Sequence, residues 1–136
     1  MGKTDEILRF LQYLDKEGIR FTNDFVDDVK KLVKTDIPTF AKCFYSAFAR
    51  KDFTRYNKFE KLKLTPKQKT RLDGSVLWRY EYRGSSNFRC IFFTESEYNT
   101  STPILVCAFN EDGDKKQSSN SYAHNIERAI NILENL

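Results

Sequence analysis

The first third of the chain carries its apolar residues at helical spacing. Across residues 4–17, Ile7, Phe10, Leu11 and Leu14 fall on one face, the recurrence of an amphipathic helix. Gly18 supplies a stop. Thr22 or Asn23 is placed to cap a second helix with the stripe Phe25, Val26, Val29, Leu32 and Val33. Pro38 suits the first turn of a third helix, in which Ile37, Phe40, Ala41, Phe44 and Phe48 share a side. Only Lys34, Thr35 and Asp36 separate these two stripes, which predicts a helical hairpin. Residues 19–21 are a candidate for a very short strand.

The period changes in the second half. From Val76 to Arg83, Trp78, Tyr80 and Tyr82 alternate with Arg79, Glu81 and Arg83, the period-two signature of a strand. Gly84, Ser85, Ser86 and Asn87 signal a turn. The next run, Phe88 to Phe93, is apolar on both faces except for Arg89, as in a central strand. A polar loop at 95–102 leads to a third strand, Ile104 to Phe109, and the short connections predict an antiparallel meander. A polar stretch at 110–116 precedes a last helix at about 121–135, with the stripe Tyr122, Ile126, Ala129, Ile130 and Leu133. Between the halves, Arg50 to Thr70 is basic and weakly periodic. It reads as an ordered connection, too short to separate two domains. The prediction is one α+β domain over residues 1–136, a helical hairpin packed on a small meander, with residues 1–18 an extra N-terminal helix.

Composition supports a packed domain. With 12 Phe and 7 Tyr among 136 residues the chain has bulk for a core, and five Gly and three Pro argue against low complexity. No apolar run approaches the ~20 residues that span a bilayer. The start lacks the apolar segment of a signal peptide, and Glu6 stands where a myristoylation signal wants Ser or Thr. The expectation is a cytoplasmic chain with no membrane partner. Cys43, Cys90 and Cys107 sit in apolar settings without metal-ligand spacing, and are expected to be reduced core residues.

Charge is unevenly spread. Residues 1–49 hold 8 Lys/Arg against 8 Asp/Glu, residues 50–89 hold 12 against 4, and residues 90–136 hold 3 against 7. Positive charge in one middle stretch suits a phosphate-bearing partner, or a solvated basic surface.

The order of elements and several short motifs resemble the RelE/ParE toxin superfamily. Leu77-Trp78-Arg79-Tyr80-Glu81-Tyr82-Arg83 is similar to that family's strand ending in Glu-Leu-Arg. Phe88-Arg89-Cys90-Ile91-Phe92-Phe93 resembles its Tyr-Arg-Val strand. Ile104 to Phe109 corresponds to the apolar strand before a basic loop, here Lys115-Lys116, and Ile126 with Ala129 to the start of the terminal helix. The resemblance covers residues 57–136, matches 19–50 only as a hairpin, and has no counterpart for 1–18. It implies a toxin of a type II toxin–antitoxin pair that cuts messenger RNA on the ribosome, through attack of the 2′-hydroxyl on the adjacent phosphate. No metal or other cofactor is required, and the partners are messenger RNA, the ribosome and a cognate antitoxin. ParE-like members keep the fold, lack nuclease residues and inhibit DNA gyrase. A third reading is a non-toxic phage or mobile-element module that binds protein.

Cleavage needs a base for the 2′-proton, cations for the phosphate charge and an acid for the leaving oxygen. Arg89 is the first candidate cation, since its planar fork suits phosphate oxygens; the alternative is a salt bridge to Glu81. Arg79 and Arg83 share a face with Glu81, where cross-strand pairing competes with RNA contact. Lys115 and Lys116 lie where the family carries basic substrate contacts. His124, about 200° around the helix from Tyr122, lies off the apolar stripe beside Glu127, Arg128 and Asn131, free to shuttle protons. Tyr122 is the alternative near the chain's end. Glu60 resembles the base of the YoeB-like branch, although its neighbours Lys58, Lys61 and Lys63 work against a carboxylate's basicity. Lys61, Lys63, Lys67, Lys69 and Arg71 suit RNA or ribosomal backbone contacts.

Overall fold

The computed structural model describes residues 2–50, 53–54, 57–82, 87–111 and 121–136. Arg83, Lys115 and Lys116 lie outside these residues, as do the expected turn at 84–86 and most of the polar stretch after Asn110. Among the described residues the order is α1 (Lys3–Lys16), β1 (Arg20–Phe21), α2 (Asn23–Leu32), α3 (Ile37–Phe48), β2 (Phe59–Lys61), α4 (Pro66–Arg71), β3 (Val76–Tyr82), β4 (Phe88–Thr94), β5 (Ile104–Asn110) and α5 (Tyr122–Glu134).

The expected α+β class holds, but the sheet is larger than a three-stranded meander. Its five strands run β1-β5-β4-β3-β2. β2 to β5 pair antiparallel, and β1 runs parallel to β5 through Arg20–Ile104 and Phe21–Leu105. The segment read as a plain connection contributes β2 and α4. β2 has three residues, too few to display a period, and its buried Phe59 is what fixes it to β3. α4 starts at a capping box in which Thr65 and Gln68 satisfy each other's backbone N–H groups.

Two cores flank the sheet. On one side α1, α2 and α3 bury an aromatic cluster in which Phe44 lies 5.2 Å from Phe10, 4.5 Å from Phe48 and 5.2 Å from Tyr80, centroid to centroid. On the other, Ile126, Ala129 and Ile130 of α5 cover Leu77, Ile91, Val106, Cys107 and Phe109. A bulge between Ile91 and Phe92 lets both halves of β5 reach the proper core. Ile91 faces Cys107 and Phe92 faces Leu105, so Val106 is the extra residue, and Leu105 and Ala108 join the aromatic core while Val106 and Cys107 join the other. Cys90 and Cys107 are buried, as expected, and burial pushes the Cys107 thiol up to about 12. Cys43 is exposed, against expectation, because it sits just beyond the edge of the Phe40–Ala47 stripe.

α2 seals β5 beyond the short β1. Thr22 caps α2 by accepting from the Phe25 N–H at 3.0 Å, and its hydroxyl donates to the Val106 carbonyl at 2.6 Å. Asp28 accepts the Ala108 N–H at 2.9 Å and is held by both terminal nitrogens of Arg128 on α5, at 2.8 and 3.0 Å. The backbone groups of an edge strand are thereby satisfied by side chains.

Candidate functional site

On the α5 side of the sheet, the polar positions of β3 and β4 meet. Strand register sets Glu81 opposite Arg89 and Glu60 opposite Arg79. Because these are even steps along the strands, all four side chains project from one face. They form a ladder of alternating charge across the sheet: Glu60, Arg79, Glu81, Arg89, Glu111. Arg79 bonds Glu60, and it bonds Glu81 at 3.2 Å. Arg89 pairs with Glu81 at 3.0 Å and donates through Nε to Glu111 at 3.0 Å and through a terminal nitrogen to the Phe88 carbonyl at 3.1 Å.

Burial is steep along this ladder. The Glu81 and Arg89 side chains are each 9% exposed, whereas Glu111 is 27% and Glu60 64% exposed. The central pair is therefore fixed, since removing one partner of a buried pair costs about 3–5 kcal/mol. The outer carboxylates sit where solvent and ligands reach them.

Tyr122, the first residue of α5, lies over the Arg89 end. Its ring meets Phe109 edge-on at 5.1 Å, and Phe109 lies opposite Arg89 on the neighbouring strand. Burial, helped by the charge of Glu111 and opposed by Arg79 and Arg89, pushes the phenol up to about 12. At neutral pH it is protonated, which fits it to give a proton and unfits it to take one.

The remaining predicted residues are placed elsewhere. His124 is exposed and lines an open cleft of about 720 Å³ with Asp24 of α2 and Arg128 and Asn131 of α5. It faces away from the Tyr122 side, as the helical angle between them requires. Arg71 ties α4 to α5, bonding Glu127 at 2.9 Å, Glu134 at 2.6 Å and Asn131 at 2.8 Å. The bonds to Glu134 and Glu127 raise the Arg71 pKa, Arg71 lowers that of Glu134, and the Gln68 amide, ahead of Arg71, lowers that of Glu127. Lys61 and Lys63 line a separate groove, and Lys61 bonds Glu97 at 3.1 Å.

The ladder thus brings together Arg89, Arg79, Tyr122 and Glu60, and leaves His124, Arg71, Lys61 and Lys63 outside it. Sequence reasoning missed Glu111, which it assigned to a loop. The only signal for it was adjacency to the end of a strand whose neighbour carries Arg89. Comparison with family models, with curated proteins and with solved structures gives no match for this chain.

Proposed function

We propose that this chain is a RelE-like toxin that acts on messenger RNA at the ribosome, cleaving it by attack of the 2′-hydroxyl on the neighbouring phosphate. The reading is carried by one observation: Glu60, Arg79, Glu81 and Arg89 form a continuous row of ion pairs on one sheet face, with Tyr122 of α5 over its Arg89 end. In this reading Arg89 and Arg79 hold the charge that grows on the phosphate, since charge-assisted bonds from planar guanidinium groups suit its oxygens. Tyr122 protonates the leaving 5′-oxygen. Glu60, the most exposed carboxylate of the ladder, accepts the 2′-proton. The Glu111 carboxylate stands where a phosphate oxygen would sit against Arg89 and yields that place to substrate. A cognate antitoxin neutralises the chain by covering this face.

Induced expression followed by mapping of transcript ends tests the proposal. Growth arrest with cut transcripts is expected, and Tyr122→Phe, which keeps the ring against Phe109, should lower cleavage about 10²–10⁴-fold. Arrest with cut transcripts that is unchanged by Tyr122→Phe removes Tyr122 from the mechanism.

A non-nuclease reading is favoured by a different observation. Arg79 and Arg89 each already hold two carboxylates, so neither guanidinium is left unpaired in the free chain. A ParE-like inhibitor of DNA gyrase would use the ladder only as a structural clasp. Arrest with intact transcripts and blocked replication supports that reading. Absence of arrest sinks both toxin readings and leaves a protein-binding module of phage or mobile-element type.

A further inference from the structure

We infer that the groove between β2, α4 and the β4–β5 loop is a docking site for single-stranded RNA, with Tyr98 as a stacking platform and Lys61, Lys63 and Lys69 as phosphate contacts. The groove is open, about 730 Å³, and lies apart from the buried Glu81–Arg89 pair of the charged ladder. Val76, on its wall, pairs with Thr94, whereas Glu81 and Arg89 pair near the other end of the same two strands. At about 3.3 Å per residue the two places are roughly 15 Å apart.

Three features converge there. Tyr98 is 92% exposed, an aromatic ring presented to solvent in an otherwise polar loop. Beside it, residues 58–71 carry six Lys/Arg and one Glu. Of the groove's lysines, Lys61 is paired with Glu97, while Lys63 and Lys69 form no ion pair with any described residue. Between ring and cations, the half-buried Leu64 and Val76 offer an apolar floor.

Cations tracking a backbone, next to an aromatic face for a base, are the two components of single-strand recognition. Duplex RNA hides its base faces, so it could use the lysines but not Tyr98. An acidic peptide would likewise engage the lysines and leave the ring idle. The combination selects a single strand.

The site can be tested without any cleavage, by fluorescence anisotropy of the full chain with a labelled single-stranded RNA of about 12 nucleotides. Tyr98→Ala should weaken binding about 10-fold, and Tyr98→Trp should preserve it. Lys63→Ala and Lys69→Ala should each make the slope of log K against log salt shallower by about 0.7. All these side chains are exposed, and an unchanged thermal unfolding midpoint will verify that each variant folds. Wild-type affinity in Tyr98→Ala, equal affinity for duplex RNA, or equal displacement by an oligoglutamate of the same charge would each overturn the inference. The readout is binding without cleavage, and Tyr98, Lys63 and Lys69 lie outside the ladder, so failure of the nuclease reading leaves the inference standing.

Discussion

Thr22 shows how much one hydroxyl can fix. It caps α2, and it donates to the carbonyl of Val106, 84 positions away, while its own N–H donates to Leu105 at 3.0 Å. Thr22→Val keeps the shape and removes both side-chain bonds, so a loss of about 1–2 kcal/mol is expected in urea denaturation, with Thr22→Ser close to wild type. The cap was readable from sequence, since Thr22 or Asn23 preceded a clear stripe. The second bond was not, because nothing local announces a partner so distant. Two phenols give a residue-scale pH dependence. Tyr45 and Tyr122 are both pushed up to about 12, chiefly by burial. The folded chain holds these protons more tightly than the unfolded one, so the stability they carry is whole below about pH 10 and is lost as pH rises towards 12. Stepped-pH denaturation should show that loss between about pH 10 and 12. Tyr45→Phe with Tyr122→Phe should lessen it, while Tyr82, Cys90 and Cys107, which burial also raises, keep the remainder, and an unchanged fall in the double variant would refute the assignment.

At the scale of elements, the charged ladder and the sealed edge are the two devices that join pieces far apart in the chain. Register predicts their energetics. Arg89→Ala removes one of the two arginines that hold the buried Glu81 and leaves Arg79 at 3.2 Å, so it should cost about 1–3 kcal/mol. Glu111→Gln leaves the Glu81–Arg89 pair intact and should cost less than about 1 kcal/mol. If the ladder receives phosphate, Glu111→Gln should also tighten RNA binding there, measurable as a lower KM for cleavage. At the edge, Asp28→Ala removes the acceptor of the Ala108 N–H and the partner of Arg128, for an expected loss of about 1–3 kcal/mol. Strand alternation made the Arg79–Glu81–Arg89 part of the ladder legible, because opposite charges on one face of neighbouring strands have few other places to go. Glu111 and the Asp28–Arg128 clasp escaped, since neither lies at a position that any period marks.

For the molecule as a whole, the long helical stripes and the two apolar strands carried enough pattern to place the four long helices and the meander, but α2 packs chiefly on β5 and not along α3 as the expected hairpin required. β2 was too short to read, and β1 remained a guess, because two or three residues cannot display alternation and owe their pairing to tertiary contact. The aromatic core is the larger of the two that flank the sheet. Phe44 touches rings from α1, α2, α3 and β3, so Phe44→Ala should cost about 3–5 kcal/mol and lower the unfolding midpoint of every probe together.

The extra residue in β5 has a consequence for how this chain tolerates change in length. With Val106 inserted, the strand presents Leu105 and Ala108 to one side and Val106, Cys107 and Phe109 to the other. Without Val106 the bulge would close, and Leu105, Cys107, Ala108 and Phe109 would alternate regularly with Phe109 still against Tyr122. A further residue in the same stretch would need a second bulge to keep Phe109 on that side. Deletion of Val106 should therefore leave the chain folded, and an insertion between Cys107 and Ala108 should not, as thermal unfolding will show.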